Sequence, residues 1–401
     1  MKYKIEQAMF DFYSEKQRSE VLSSFDAKRK KGTVSIELRN RGYKCNSSRA
    51  EFDSRICAIS VFSGAGGLDI GAQLAGVRVL SSLDLFSDSV ETLKMNKFFD
   101  GAVHDLADIS KISGAHYSDI LKNAKADKLI VLGGPPCQPF SKAGYWVTNA
   151  KRDSAHDPRN LLVPYFNLLA ELKPDGFLLE NVESILHPSN KAALRQIHYH
   201  MEKLGYSFSM LHVNAADYGI PQLRKRVFFL ASKKKINASL IQTHGSEKDR
   251  FLCKELLPYE RVVDWIGRYD VKEVGEEESL MVDGKWAEAL RHVPMGKNYI
   301  ALSARAGYPD PLFIAGTRYW TSLLKLHPLL PSWTIIASPG HWEGPFHWNN
   351  RRLSIRELAA IQTFPADYKF FGSPRSIHKQ IGNAVPPLLA ELVVKELCRW
   401  L

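Results

Sequence analysis

The stretch ICAISVFSGAGGLDIGAQLAG, residues 56–76, decides how the chain is read. ICAISVF is an apolar run of strand character. The glycines at 64, 66 and 67 let the backbone turn tightly and approach a ligand at a helix N-terminus. GLDIGAQLAG then continues as a helix. Strand, glycine turn and helix in that order open an α/β fold.

Working outward, the same alternation recurs. RVLSSLDL (78–85), DKLIVLGG (127–134), DGFLLENV (175–182), YSFSMLHV (206–213) and KRVFFLAS (225–232) are strand candidates. SVETLKMNKFF (89–99), NLLVPYFNLLAELKP (160–174) and KAALRQIHYHMEKLG (191–205) are helix candidates. This spacing predicts a mostly parallel α/β sheet with helices on both faces. From about 233 to 345 the alternation breaks down into scattered Trp, Gly and Pro with the charge run KEVGEEES, a separate irregular domain. RRLSIRELAAIQTF (351–364) and PPLLAELVVKELCRWL (386–401) are helical again. Residues 1–54 form a basic N-terminal extension containing KRKKG (28–32), with room for a helix over 5–22.

The bulk numbers set limits. A chain of 401 residues, 45% hydrophobic and 24% charged, buries a large core. Its formal net charge of +11 suits a polyanion such as nucleic acid. The five cysteines, Cys45, Cys57, Cys137, Cys253 and Cys398, are odd in number and form no CxxC pair, against a disulfide framework or structural zinc. With no signal-like apolar segment, a reducing cytoplasm is expected.

Five motifs carry chemistry. Asp84 follows the glycine turn by 20 residues and ends the second strand, where a carboxylate accepts ribose hydroxyls. Asp105, in AVHDLADI after the third strand, suits an adenine amino group. Singly these are ordinary loop residues; with the glycines they suit an adenosine-containing cofactor. In GGPPCQPFSKAG (133–144), Pro135 and Pro136 stop the strand and leave Cys137 on a rigid turn. That thiol is a core residue, a metal ligand or a nucleophile. In LLENVES (178–184), Glu180 ends an apolar strand and is either a helix cap or a general acid. In PQLRKRVFFL (221–230), Arg224 and Arg226 alternate on one face and are either a pair directed at one pocket or part of a solvated basic edge strand. HKQIGNAVPPLLAEL (378–392) reads as a Gly-Asn turn before the last helix.

Taken in order, these stretches resemble the cytosine-5 DNA methyltransferases of bacterial restriction–modification systems. FSGAGG resembles the family's cofactor loop, GGPPCQPFS its nucleophile loop, ENVES its acid motif and QLRKR its arginine motif. IQTFP and QIGNAVPP resemble its two C-terminal motifs. The resemblance implies a Rossmann-like, S-adenosylmethionine-dependent methyltransferase over 55–232 and 346–401, with a target-recognition domain over 233–345. It implies Cys137 as nucleophile, Glu180 as general acid, and Arg224 and Arg226 as orienting arginines. Cofactor contacts would be Phe62, Gly64, Ala65, Gly66, Gly67, Asp84, Leu85, Asp105, Leu106, Pro136, Leu162 and Asn383. S-adenosylhomocysteine would be the product, with no metal required. The partner would be double-stranded DNA, bound by a monomer in the cytoplasm, in functional pairing with a restriction endonuclease. SKAGYWVTNAKRDSAHDPRN, after Cys137, resembles the family's mobile loop.

Three competing classes explain less. A nicotinamide-dependent oxidoreductase would use the glycine turn and Asp84 but leaves Cys137, Glu180 and the arginine pair unexplained. An RNA cytosine-5 methyltransferase does not need so large a segment over 233–345. A DNA-binding protein without catalysis does not need every catalytic position filled.

Overall fold

The computed structural model describes residues 55–136, 161–269, 280–313 and 319–401. The helix expected at 5–22, Cys45, Cys137 with the loop after it, and the charge run at 272–279 lie outside these residues.

Apolar runs ending in turn residues give β1 (Ile56–Val61), β2 (Arg78–Asp84), β3 (Val103–Leu106), β4 (Lys128–Gly133), β5 (Gly176–Val182) and β6 (Ser207–Asn214). The two-residue β7 (Gln222–Leu223) precedes β8 (Lys225–Ser232). Between them lie α1 (Gly67–Leu74), α2 (Ser87–Lys94), α3 (Ser118–Ala124), α4 (Leu162–Leu172) and α5 (Lys191–Lys203). Near the C-terminus come α6 (Ile355–Ile361), α7 (Pro374–Asn383) and α8 (Pro387–Cys398).

Seven strands form one sheet in the order β3-β2-β1-β4-β5-β8-β6. β1 to β5 pair in parallel, and β8 runs antiparallel between β5 and β6. The expected mostly parallel sheet is therefore present. α1 and α8 cover one face through Leu68, Ala72, Leu389 and Val393 against Ala58, Ile130 and Phe228. α4 and α5 cover the other through Phe166, Leu169, Ile197 and Met201 against Ile59, Val131 and Phe229. Helices thus shield both faces, as a buried parallel sheet requires.

Several boundaries differ from the sequence reading for identifiable reasons. Asp105 lies inside β3 rather than after it, pairing with Leu83. The helix read from Arg351 begins at Ile355, because Ser354 and Glu357 form a capping box. Gly382-Asn383 is no turn: α7 runs through both and stops before Pro386. Glycine is needed at 382 for packing, since a Cβ there would lie 2.5 Å from the Ala337 Cα.

The 233–345 segment is irregular, with short helices such as Val262–Ile266 and Ala287–His292. Val262, Trp265, Leu326 and Ile335 share a core with Ile70, Leu93, Ile361 and Ile381. Val282, Leu290, Tyr299, Leu302 and Leu323 close a second core with Phe346. No helix among the described residues is long and apolar enough to cross a membrane.

α1 and α8 meet backbone to backbone. A Cβ on Gly71 would sit 2.3 Å from the Ala390 Cβ and 2.6 Å from the Glu391 nitrogen. Gly71→Ala is expected to cost about 1–3 kcal/mol by overpacking, read as a lower urea midpoint with an unchanged slope. An unchanged midpoint would mean that the two helices part freely.

Candidate active site

Parallel pairing brings the ends of β1, β2, β3, β4 and β5 to one edge of the sheet. Strand order reverses between β1 and β4, which opens a crevice there. The turn after β1 is strained: Phe62 has φ 57°, a region that bulky residues rarely occupy. The Ser63 N–H donates to the Leu83 carbonyl at 3.1 Å, tying the turn to β2. Asp84 holds it from below. Its Oδ2 accepts from the Gly64 N–H at 2.8 Å and its Oδ1 from the Phe86 N–H at 2.9 Å. Burial raises the Asp84 pKa against the pull of these amides.

The three glycines of the turn differ in purpose. Gly64, at φ 53°, faces open space. Cβ atoms on Gly66 and Gly67 would instead strike Leu93 and the Val385 carbonyl, so both glycines serve close packing. Ala65 is buried, and its carbonyl accepts from the Tyr368 hydroxyl at 2.7 Å. Leu162 is also buried, at the start of α4. Leu85, Phe86 and Leu106 stand 60%, 56% and 57% exposed at the ends of β2 and β3. Asp105 Oδ2 lies 3.0 Å from His116 Nε2 and accepts from Ser81 Oγ at 3.3 Å. Two carboxylates bordered by exposed apolar side chains and an open glycine backbone fit an adenosine: acceptors for hydroxyl and amino groups, apolar faces for the purine.

The second half of the edge lies at β4 and β5. Gly133 ends β4 under the Tyr165 ring, which a Cβ would meet at 2.5 Å. A Cβ on Gly134 would stand 3.2 Å from Glu180 Oε2, so the missing side chain lets the chain pass the carboxylate. Asn181 Nδ2 donates to the Pro135 carbonyl at 3.3 Å, fixing the proline turn beside the end of β5. Pro135 is buried and Pro136 exposed. Cys137, the next residue in the sequence, is outside the described residues.

Glu180 meets Arg226 because β5 and β8 are antiparallel. Glu180 opposes Phe228 and Val182 opposes Arg226, making Glu180 and Arg226 diagonal neighbours on one face. Glu180 Oε1 lies 2.8 Å from Arg226 Nε, with each side chain 12% exposed. Burial raises the Glu180 pKa, while the charges of Arg226 and then Arg224 pull it down.

Arg224 is placed differently from its sequence neighbour. It is completely buried, and its Nη2 donates to the carbonyls of Gly382 and Ala384, each at 2.9 Å. It therefore clasps the end of α7, and the exposed Asn383 sits on the held segment. Gln362 Nε2 shares the Ala384 carbonyl and its Oε1 accepts from Gln222 Nε2 at 2.6 Å. Leu223 pairs with Trp333, which packs edge-on against Trp320 at 4.6 Å, so the irregular segment reaches the arginine strand.

Sequence reasoning missed three contributors. Asp69 is buried beneath the glycine turn, bonded to Ser60 and Ser82; an aspartate between Leu68 and Ile70 was the available signal. His116 and Tyr368 reach the site from distant segments and leave no local pattern. Among the described residues no group of three or more His, Cys, Asp and Glu is placed to hold a metal ion.

Comparison with known proteins agrees with this geometry. The C-5 cytosine-specific DNA methylase family matches residues 56–399. The type II methyltransferase M.SacI of Streptomyces achromogenes is 36% identical over 369 residues, covering 86% of this chain and 93% of that protein. The type II methyltransferase M1.HphI of Haemophilus parahaemolyticus is 32% identical over 348 residues, covering 85% and 86%. Among solved structures, a prophage-encoded methyltransferase of E. coli shares the fold with a TM-score of 0.62 at 23% identity, covering 86% of this chain and 99% of that one. The chain belongs to the C-5 cytosine-specific DNA methylase family and is a DNA (cytosine-5-)-methyltransferase.

Proposed function

We propose that this methyltransferase modifies one cytosine within a specific duplex sequence, through a covalent Cys137 adduct on a flipped-out base. It would protect host DNA from a cognate restriction endonuclease in a type II restriction–modification system. The observation that carries the reading is the buried Glu180–Arg226 pair beside the Pro135 turn, one step from Cys137.

Carbon 5 of cytosine is a weak nucleophile. In the proposed reaction the Cys137 thiolate attacks carbon 6 while Glu180 delivers a proton to ring nitrogen 3, giving an enamine. Burial favours the protonated carboxyl, which supports that role, and Arg226 orients it. S-adenosylmethionine supplies the electrophilic methyl group that carbon 5 takes. A water held in the site then removes the carbon 5 proton, and Cys137 leaves. Since carbon 6 is hidden in stacked duplex, the base must leave the helix.

Phe62, Gly64, Ala65, Gly66, Gly67, Asp84, Leu85, Asp105, Leu106, Pro136, Leu162 and Asn383 are assigned to the cofactor. The catalytic domain comprises 55–232 and 346–401, and 233–345 is assigned to target recognition, reaching the arginine strand through Trp320 and Trp333. The net charge of +11 suits a polyphosphate partner, bound by a monomer in the bacterial cytoplasm.

Duplex DNA carrying 5-fluorocytosine at the target should trap the enzyme in a denaturant-stable 1:1 adduct, because fluorine cannot leave as a proton does. Cys137→Ala should form none while still binding cofactor. Absence of an adduct on a target mapped by bisulfite sequencing would sink the carbon 6 mechanism. Glu180→Gln should slow single-turnover methyl transfer about 10²–10⁴-fold with cofactor affinity unchanged; a normal rate would return Glu180 to a capping role. Asp84→Ala should weaken S-adenosylmethionine binding at least about tenfold, equivalent to about 1.4 kcal/mol, measured by calorimetry. Unchanged affinity would remove Asp84 from the cofactor site.

A further inference from the structure

Asp69 is the charged group the mechanism leaves unused. It lies in the first turn of α1, fully buried, directly beneath the turn assigned to the cofactor. Ser60 Oγ donates to its Oδ1 at 2.5 Å and Ser82 Oγ to its Oδ2 at 2.6 Å. Ser63 Oγ donates in turn to Ser60 Oγ at 3.0 Å. All three serines are buried, and the cluster joins the ends of β1 and β2 to α1. These partners are neutral hydroxyls. They satisfy the carboxylate's lone pairs without cancelling its charge, and Asp84, which faces it from the end of β2, adds a second negative charge.

Burying an uncompensated carboxylate is costly, and the arrangement gains from a cation nearby. The two forms of the assigned cofactor differ in that respect. S-adenosylmethionine carries a positive sulfonium. When its sulfur–methyl bond breaks and the methyl passes to carbon 5, sulfur keeps the bonding pair and becomes a neutral thioether.

We propose that Asp69 is an electrostatic positioning residue for the cofactor: its buried carboxylate, held under the glycine turn by Ser60 and Ser82, favours the sulfonium of S-adenosylmethionine over the neutral S-adenosylhomocysteine. This rests on the cofactor assignment above. Burial pushes the Asp69 carboxyl up to about 6 against the hydroxyls that hold it down, so it is ionised at pH 7.5. It stabilises the loaded form, and its benefit vanishes once the methyl group has gone, which favours substrate over product in competition for the site.

Calorimetric titration of the full chain with each nucleoside at pH 7.5 tests this. Asp69→Asn preserves shape and hydrogen bonding but removes the charge. It should lower the ratio of S-adenosylmethionine to S-adenosylhomocysteine affinity about tenfold, the order expected for unit charges within roughly 10 Å in a partly screened interior. Ser82→Ala removes a hydrogen bond but keeps the charge, and should leave the ratio within about twofold to threefold. A merely structural Asp69 would weaken both ligands alike in both variants. An unchanged ratio in Asp69→Asn, or an equal shift in Ser82→Ala, overturns the proposal. Should Asp69→Asn not fold, the decision passes to Asp84→Asn, which leaves Asp69 as the carboxylate beneath the turn. Its affinity ratio must fall between pH 7.5 and 5, and a flat ratio overturns the proposal. If the wild-type protein binds neither nucleoside, the cofactor assignment itself fails.

Discussion

The guanidinium of Arg224 joins the start of β8, which carries Arg226, to the segment that closes the core. The last carbonyls of a helix have no partner within it. At the end of α7 the following chain offers few donors, because Pro386 and Pro387 have no N–H. Arg224 supplies them from inside the protein, bonding to Gly382 and Ala384. That fixes Val385, whose carbonyl lies where a side chain on Gly67 would have to go. Two residues further on, inside β8, Arg226 meets Glu180. One backbone path therefore sets both the packing under the cofactor turn and the ion pair in the catalytic half.

Three carboxyl groups at this sheet edge show how surroundings divide labour among similar side chains. Asp84 and Asp69 are buried and Glu180 is largely so, and all three are pushed towards their protonated forms. Glu180 faces arginines, Asp84 faces backbone amides and Asp69 faces hydroxyls. A cation restrains the pKa and fixes the carboxyl's orientation. Amides hold one rigidly as an acceptor, and hydroxyls solvate one while leaving its field intact.

Much of this was legible in the residues. β4, β5 and β8 follow the apolar runs that end in turn or polar residues, and Asp84 and Glu180 stand at strand ends as their spacing implies. What stayed hidden depends on contacts distant along the chain. Gly382-Asn383 looks like a turn because glycine and asparagine favour turns, yet here glycine answers to the backbone of Ala337. Arg224 and Arg226 share a strand face by periodicity, but the carbonyls that claim Arg224 belong to residues 382–384. Asp69 sits in an apolar helix pattern, and only the meeting of β1 with β2 shows that serines surround it. Local pattern encodes which face is buried, not which partner is found there.

The packing of α8 on α1 has a consequence for synthesis. The face of the sheet built on β1 and α1 is covered by residues 387–398, which are made far later. Until then Ala72, Ala58 and Ile130 have no cover from α8, and the groups that accept from Arg224 do not yet exist. The docking of α8 is therefore the step that closes this hydrophobic face, and it brings the carbonyls that Arg224 holds into place at the same time.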